Sequence, residues 1–380
     1  MAAPASQAPA PVGQAARRHS VFHPLRVASI DRLTEDAVAV TFDVPPELRD
    51  AFAFAPGQHV SIRSPVVGDD VRRNYSICSA ATSGRLRIGV KRIPDGVFSG
   101  YVAERLRPGD SLDIMTPTGS FSTALDPGQR KRYGAIAAGS GITPVLSILA
   151  TTLEVEPASS AVLVYVNRTI NSIMFLEELE DLKNRYPDRF QLVHVLDEEP
   201  LDVEILSGRL DASRLDRILD VLVLPTGADD VDEWFLCGPL PMTDAARGVL
   251  LAHGAAEQHI HRELFFVGPP PAAGDRAPAR DREQEPESGA SVTVMLDGRS
   301  QTFTLAEDGA SILDATLRYR ADAPFACKNG VCGTCRAKVV EGQVRMDANY
   351  ALEPADIAAG YALACQSHPA AERVVLDFDQ

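Results

Sequence analysis

Four cysteines close to the end of the chain restrict its fold more than any other feature. Three of them follow the pattern C-x4-C-x2-C, and the fourth comes after 29 further residues. Four thiolates can hold two irons, two for each, and this spacing is typical of a [2Fe-2S] cluster. A zinc site is the alternative, although zinc sites usually use paired C-x2-C units and only one such pair occurs here. The predicted metal ligands are Cys327, Cys332, Cys335 and Cys365.

A linker rich in proline, alanine and charge precedes the cysteine segment. Residues 268–290 contain almost no apolar side chains and cannot build a core. Residues 291–380 then begin with a hairpin that turns at Asp297-Gly298, followed by a helix, Ser311 to Tyr319, and the cysteine loop. This order resembles the β-grasp fold of plant-type ferredoxins.

Residues 21–125 consist of short alternating stretches separated by turn signals such as Pro56-Gly57 and Pro108-Gly109. Many short strands at this spacing predict an antiparallel β-barrel. The predicted strands are Leu25–Ile30, Ala37–Phe42, His59–Ser64, Asn74–Ser79, Leu86–Lys91 and Ser111–Met115.

Residues 126–267 have a different pattern, in which apolar runs alternate with helical segments such as Phe175 to Tyr186. Such alternation predicts an α/β domain with a parallel sheet. The expected fold class is therefore multidomain: an antiparallel β-barrel, an α/β parallel-sheet domain and a C-terminal β-grasp domain. The predicted strands of the α/β domain are Tyr133–Ala138, Ala161–Val166, Phe190–Val195 and Glu233–Cys237.

Charge and hydropathy exclude several classes of protein. The net charge of -15 argues against a nucleic-acid partner, whose phosphates need Lys and Arg. No apolar run reaches the ~20 residues of a membrane-spanning helix. Residues 1–20 have no apolar segment and do not form a secretory signal. We expect a disordered tail there and a cytoplasmic protein, in which clustered cysteines hold metal rather than form disulfides.

Two short motifs in the barrel region indicate a phosphate-bearing cofactor. Arg73 can donate two hydrogen bonds to pyrophosphate, although an arginine beside a tyrosine often lies on an ordinary surface strand. Arg73-Asn74-Tyr75-Ser76 followed by Gly96-Val97-Phe98-Ser99 resembles the ferredoxin–NADP reductase superfamily. The resemblance implies FAD, with the tyrosine on the flavin ring, Ser76 near the flavin N5, and the glycine-led turn at the pyrophosphate. The implied cofactor-binding residues are Arg73, Asn74, Tyr75, Ser76, Lys91, Gly96, Val97, Phe98 and Ser99.

Two further motifs follow strands of the predicted parallel sheet. Glycines between a strand and a helix allow a pyrophosphate to approach the helix N-terminus. The second motif, Cys237-Gly238-Pro239-Leu240-Pro241-Met242, resembles the CGPxPM motif of the same superfamily. The resemblance implies that Cys237 lies beside the nicotinamide C4; the alternative is a buried thiol at a strand end. The implied nucleotide-binding residues are Gly139, Gly141, Thr143, Pro144, Cys237, Gly238 and Pro239.

A third strand end, Asn167-Arg168-Thr169, lies where the adenosine ribose normally binds. No acid follows this strand directly, so Arg168 can accept a 2′-phosphate, with help from Ser172, which favours NADPH. If Arg168 only stacks on adenine, NADH remains possible.

The segment His261-Arg262-Glu263-Leu264-Phe265-Phe266 resembles the E-x-F element of these reductases. The resemblance implies that Glu263 and Phe265 lie near the flavin and nicotinamide rings; the alternative is a strand with alternating core residues. Together with Ser76 and Cys237, they are the predicted catalytic residues.

The order of barrel, α/β domain and ferredoxin domain resembles the reductase components of bacterial oxygenases. Stretches such as VNRTINSIMFLEELEDLKNRYP and MDANYALEPADIAAGYALACQSHP resemble, more closely, the reductase subunits of phenylacetyl-CoA 1,2-epoxidase complexes. The implied path runs from NADPH through FAD and the [2Fe-2S] cluster to di-iron oxygenase subunits that epoxidise phenylacetyl-CoA in phenylacetate catabolism. A reductase for another oxygenase, such as 3-ketosteroid 9α-hydroxylase or an aromatic-ring hydroxylase, is the alternative. A non-enzymatic redox sensor would need an output domain, and every segment with a core is already assigned.

Overall fold

The computed structural model of the chain describes residues 21–64, 66–68, 71–223, 231–265 and 288–380. The tail predicted over residues 1–20 and residues 268–287 of the predicted linker lie outside this part of the chain. Three large sheets follow one another along the sequence, which confirms the predicted fold class.

The first sheet contains six antiparallel strands in the order β4-β3-β6-β1-β2-β5. A bridge between Ile77 and Ile88 joins its two ends and closes it into a barrel. Apolar side chains of alternate residues, such as Val60 and Ile62, fill the interior because their burial removes apolar surface from water. The elements are β1 (Phe22–Arg32), β2 (Ala37–Asp43), β3 (His59–Arg63), β4 (Arg72–Ser76), β5 (Leu86–Lys91), α1 (Val97–Glu104) and β6 (Ser111–Met115).

The second sheet is parallel, with five strands in the order β11-β10-β7-β8-β9. Its strands are almost continuously apolar because helices cover both faces. No helix that the structure describes is both long and apolar enough to cross a membrane. The elements are β7 (Arg132–Ala138), α2 (Ile142–Val155), β8 (Ser160–Asn167), α3 (Leu176–Arg185), β9 (Phe190–Leu196), α4 (Ala212–Ile218), β10 (Glu233–Gly238), α5 (Leu240–Ala252) and β11 (Ile260–Leu264).

The third sheet, in the order β13-β12-β18-β14-β16, has β12 parallel to β18 and its other pairings antiparallel. The predicted hairpin turn is present, and Asp297 and Gly298 have φ of 58° and 63°, as a type I′ turn requires. The elements are β12 (Ala290–Leu296), β13 (Arg299–Leu305), α6 (Ile312–Leu317), β14 (Arg336–Glu341), β15 (Val344–Met346), α7 (Pro354–Ala358), β16 (Tyr361–Leu363), β17 (Ser367–Pro369) and β18 (Arg373–Asp377).

The barrel and the α/β domain share one hydrophobic core. Ala37, Ala39 and Phe121 of the barrel segment belong to the same cluster of buried side chains as residues of β7 and α2. The ring of Phe121 meets that of Phe235 edge-on at 5.5 Å. These two domains therefore form a single unit.

A buried carboxylate anchors the C-terminal end of α2. Glu156 is 0% exposed and accepts hydrogen bonds from the Tyr133 hydroxyl at 2.9 Å, the Ser159 hydroxyl at 2.7 Å and the Asp126 backbone N–H at 3.0 Å. A buried polar group is tolerated when its hydrogen bonds are made, so this carboxylate fastens the first residues of the α/β domain to α2.

Replacing Glu156 with leucine should lower the free energy of unfolding of the α/β domain by about 2–4 kcal/mol, because two buried hydroxyls and one backbone N–H lose their acceptor. Urea denaturation followed by far-ultraviolet circular dichroism measures the change. The matched control is Glu177→Gln on α3, an exposed position whose replacement should change stability by less than about 0.5 kcal/mol. Equal effects of the two substitutions would contradict the assigned role.

Candidate functional site

Strand β4 carries the motif predicted to bind flavin. Arg73 is exposed and Tyr75 is half-buried, and the centroid of the Tyr75 ring lies 5.7 Å from that of Phe98 in α1. The two motifs that the sequence analysis paired are therefore adjacent in the fold.

The start of α1 has the properties of a phosphate site. Gly96 precedes the helix and no side chain caps it, so the backbone N–H groups of the first turn are available to an anion. A Cβ at position 96 would lie 2.4 Å from Ser99 Oγ, so the turn fits glycine only. Together with the exposed guanidinium of Arg73, these N–H groups fit a pyrophosphate. Ser99 Oγ itself accepts from the Ile93 N–H at 3.1 Å, so its predicted contact with the phosphates stays a prediction.

The glycine turn between β7 and α2 approaches the strand that ends at Cys237. A Cβ at Gly141 would lie 2.2 Å from the carbonyl oxygen of Cys237, and Gly139 has φ of 52°. Thr143 donates to a carbonyl of the preceding turn at 3.0 Å, and Pro144 is buried in the first turn of α2. No side chain caps α2, so its N-terminal N–H groups fit the pyrophosphate of a dinucleotide.

The turn after β10 is equally close-packed. Cys237 is fully buried, and burial raises the pKa of its thiol well above the usual value, so the thiol is neutral at physiological pH. A Cβ at Gly238 would lie 2.7 Å from the Met242 side chain, and Pro239 immediately precedes α5. The motif thus presents a neutral sulfur at the edge of the parallel sheet where the glycine turn also lies.

Asn167 at the end of β8 is a buried residue with unused hydrogen-bonding groups. It is 5% exposed, and within the described residues neither its Nδ2 nor its Oδ1 has a hydrogen-bond partner. Orphaned polar atoms at the carboxyl edge of a parallel sheet fit the polar groups of a nucleotide.

Arg168, the next residue, extends toward the barrel. Its side chain is 61% exposed, and its guanidinium lies 3.9 Å from the carboxylate of Asp36, which also lies 3.5 Å from Lys91 Nζ. Ser172 Oγ accepts from the Thr169 N–H and donates to the Thr169 carbonyl, so it closes a local turn. The sequence analysis missed Asp36, because its partners come from other strands.

Three of the four predicted catalytic residues converge. Ser76 Oγ donates to Glu263 Oε2 at 3.0 Å, and Glu263 pairs with Cys237 in the register of β10 and β11. Phe265 follows β11 and is 39% exposed. His59 Nδ1, which sequence reasoning missed, lies 3.9 Å from Glu263 Oε1.

Burial controls the protonation of this cluster. It raises the pKa of Glu263 to about 7, against the opposing effect of the Ser76 hydrogen bond. It lowers the pKa of His59 to about 4, so the imidazole is neutral and does not hold Glu263 ionised. Glu263 can therefore gain or lose a proton near neutral pH.

The four cysteines of the C-terminal domain associate in two pairs. Cys327 and Cys332 are close enough to shift each other's pKa, and Cys365 is close enough to raise the pKa of Cys335. Among the described residues, no three His, Cys, Asp or Glu side chains converge on one point, whereas a structural zinc needs four ligands around one ion. Two pairs of thiols fit two irons that share sulfides. The Asn329 N–H donates to Cys327 Sγ at 3.3 Å, as expected for a loop that turns N–H groups toward sulfur.

The cysteine loop contacts the flavin motif directly. Asn74, between Arg73 and Tyr75, donates from Nδ2 to Thr334 Oγ1 at 3.0 Å, and Ser61 Oγ donates to Asn74 Oδ1 at 2.7 Å. Thr334 lies between two of the cysteines. The predicted flavin and cluster sites are therefore joined by one side-chain hydrogen bond.

A second contact joins the C-terminal domain to the α/β domain. His261 lies 3.0 Å from Glu233 and 3.4 Å from Glu353, which precedes α7. Burial alone would lower the pKa of His261, but the hydrogen bonds to the two carboxylates outweigh it and raise the pKa to about 9. The imidazolium therefore bridges the two domains at neutral pH.

Three family models match the chain in order. An oxidoreductase FAD-binding domain covers residues 24–123, an oxidoreductase NAD-binding domain residues 135–248, and a 2Fe-2S iron–sulfur cluster binding domain residues 294–370. The matched segments coincide with the barrel, the parallel-sheet domain and the cysteine-rich domain.

Full-length relatives have the same arrangement. The chain is 44% identical to one of the subunits of 1,2-phenylacetyl-CoA epoxidase from Escherichia coli (strain K12), over 95% of this chain and 98% of that protein. It is 34% identical to the ferredoxin reductase component of 3-ketosteroid-9-alpha-monooxygenase from Rhodococcus rhodochrous, over 93% and 96%. The fold is similar to that of phthalate dioxygenase reductase, with a TM-score of 0.55 at 21% identity over 94% of this chain and 98% of that one.

The similarity extends over nearly the whole length of both curated relatives, and each predicted cofactor site lies in the matching domain. The chain is therefore an oxidoreductase that belongs to the ferredoxin–NADP reductase superfamily, in the family of oxygenase reductase components that carry FAD-binding, NAD-binding and C-terminal 2Fe-2S domains.

Proposed function

We propose that this protein transfers electrons from NADPH, through FAD and a [2Fe-2S] cluster, to the di-iron oxygenase subunits of a phenylacetyl-CoA epoxidase. The observation that carries this proposal is the position of β4, from which Ser76 reaches the α/β domain and Asn74 reaches the cysteine loop. When bound, FAD accepts two electrons as hydride and the cluster accepts them singly. The chain's own residues then have to bind the cofactors, orient the nicotinamide nucleotide and move protons.

Arg73 and the first turn of α1 bind the FAD pyrophosphate in this proposal. Arg73 offers a planar, exposed guanidinium, and the uncapped helix start offers N–H groups beside Gly96. Tyr75 packs along the ring system, supported from behind by Phe98. Lys91 balances the charge of Asp36 at the edge of the same site.

The glycine turn and the start of α2 orient the nicotinamide nucleotide. Gly139 and Gly141 leave room for its pyrophosphate, and the tight approach of Gly141 to Cys237 brings the phosphate turn and the thiol to one edge of the sheet. Cys237 lies beside the nicotinamide in this proposal, and burial keeps its thiol protonated and neutral. Phe265, exposed at the end of β11, can cover a ring placed there.

Glu263 and Ser76 manage the proton that accompanies hydride. A hydride brings two electrons together with one proton. Because the electrons leave singly and without it, the proton remains and has to be moved away. Ser76 Oγ passes it to Glu263 Oε2, which lies 3.0 Å away and has a pKa near 7. His59, which burial keeps neutral, lies 3.9 Å from the other carboxylate oxygen, Oε1.

Cys327, Cys332, Cys335 and Cys365 hold the exit cluster, and the partner follows from the relatives. The oxygenase of phenylacetyl-CoA is favoured because the matching protein of the Escherichia coli epoxidase is 44% identical over almost the full length. A steroid oxygenase is the second candidate, favoured by the 34% identity to its reductase component. A cytoplasmic location fits this proposal, because clustered cysteines that hold metal rather than form disulfides are typical of a reducing compartment.

Reconstitution tests the partner. Purified holoprotein, NADPH and the oxygenase subunits of a phenylacetyl-CoA epoxidase should yield epoxide, measured by mass spectrometry of the CoA ester. The Cys365→Ser variant should keep NADPH-dependent ferricyanide reduction but lose epoxide, because the cluster loses an iron ligand. A wild-type protein that reduces ferricyanide without forming epoxide would exclude this partner and direct the assay to the steroid oxygenase.

Arg168→Ala should raise the KM for NADPH roughly tenfold, since a charge-assisted contact with a 2′-phosphate contributes about 1.5 kcal/mol. The KM for NADH should change less than about twofold, because NADH has no such phosphate. Steady-state ferricyanide reduction with both nucleotides gives these constants. The matched control is Arg185→Ala, a similarly exposed arginine on α3. A parallel change for both nucleotides, or a wild type that prefers NADH, would refute the assignment.

Glu263→Gln should lower turnover with the oxygenase by about 10²-fold and remove its pH dependence around pH 7. In the wild type the carboxylate must be ionised to accept the proton, so the rate should rise as pH increases through about 7. Pre-steady-state traces of the reaction with the oxygenase, recorded over a series of pH values, check this. The control is Asp244→Asn, whose carboxylate pairs with the neighbouring Arg262. A pH profile that the Gln variant retains would show that another group takes the proton.

A further inference from the structure

Arg72, at the start of β4, links the flavin barrel to the ferredoxin domain. Its guanidinium donates to the backbone carbonyls of Ala323 and Ala321, both at 3.4 Å, and lies 3.8 Å above the ring of Phe325. Arg72 is only 7% exposed although it lies at a boundary between domains. Burying a guanidinium costs free energy unless it makes hydrogen bonds or stacking contacts. The contacts with the two carbonyls and the Phe325 ring therefore compensate for the burial of Arg72 at this interface.

The barrel supports this arginine from its other side. The Arg72 guanidinium lies 5.3 Å from the centroid of Phe22, and its strand neighbour Arg63 lies 4.2 Å from the same ring. Arg63, however, pairs with Asp113 of the barrel itself. Two arginines in register thus share one aromatic ring, and Arg72 is the one whose described contacts reach the ferredoxin domain.

These contacts lie close to the cluster ligands in the chain. Phe325 precedes Cys327 by two residues, and Ala321 and Ala323 lead into the same loop. Two residues along β4 from Arg72, Asn74 holds Thr334 on the far side of that loop. The cysteine loop is therefore held at both ends by one face of β4.

We propose that Arg72 is a positioning residue for electron transfer: it holds the cysteine loop against the barrel and so sets the separation between flavin and cluster. This inference rests on the proposed function. The step it serves moves one electron from the flavin to one iron of the cluster, and Arg72 forms and breaks no bond. Neither the family motifs nor the predicted cofactor contacts include this residue.

The test compares Arg72→Met with Arg63→Met, which removes a stacked arginine from the same ring and whose described contacts lie within the barrel. Stopped-flow spectroscopy after mixing holoprotein with NADPH measures flavin reduction and then cluster reduction. Arg72→Met should slow cluster reduction about tenfold, equivalent to about 1.4 kcal/mol, while flavin reduction and ferricyanide reduction stay within about twofold. Arg72→Lys keeps the charge but loses the planar stack, so its rate of cluster reduction should lie between those of the wild type and Arg72→Met.

Hydrogen–deuterium exchange gives a readout that does not depend on activity. Backbone amides of residues 321–335 should exchange faster in Arg72→Met than in wild type or Arg63→Met, with iron and flavin contents unchanged. Unchanged exchange together with an unchanged cluster-reduction rate would overturn the proposal, as would equal effects of the two Met variants. If Arg72→Met loses flavin or iron, Arg72→Lys decides the question by the same two measurements. A wild type whose cluster is not reduced by NADPH would instead refute the proposed function.

Discussion

The assembled site depends on one constraint: the side chains of the short strand β4 alternate between its two sides. Successive side chains of a β-strand point to opposite sides, and β4 uses this to serve different partners. Arg73 and Tyr75 share one side of the strand, whereas Arg72, Asn74 and Ser76 share the other side and make contacts with the other two domains. A shift of register by one residue would exchange these sets and separate all three sites.

Desolvation sets the chemistry around this strand, and its outcome depends on which partners are present. His59 is buried beside a carboxyl that is itself readily protonated, so burial prevails and the pKa falls to about 4. His261 is also desolvated, but two carboxylates bond to it and the pKa rises to about 9. His59 is therefore a neutral residue near Ser76, whereas His261 is a charged residue that bridges two domains.

The sequence predicted the features that depend on local chemistry. Spacing predicted the four cysteine ligands, and the strand–glycine–helix pattern around Gly141 predicted the nucleotide turn, because all of these signals except Cys365 lie within a few residues of one another. Most strands of the first two sheets also followed from periodicity, whereas the β-grasp fold of the third domain rested on a resemblance to ferredoxins. Asp36, His59 and Arg72 could not be found this way, because their partners are distant in the chain and only the packing of domains brings them together. Ser99 stays a predicted phosphate ligand, although its hydroxyl also bonds within its own turn, a competition that a motif does not encode.

The boundary between the barrel and the α/β domain differs in its contacts from the boundary with the ferredoxin domain. The barrel and the α/β domain share a continuous apolar core, so separating them would expose buried surface at about 25 cal/mol per Å². The ferredoxin domain keeps its own core of residues between 292 and 378, and the described contacts that hold it on the barrel are hydrogen bonds, one stacked arginine and an imidazolium bridge. Polar contacts of this kind exchange readily with water or with another protein surface. The barrel and the α/β domain are therefore held together by apolar packing, while the described contacts that hold the ferredoxin domain on them are polar and stacking contacts.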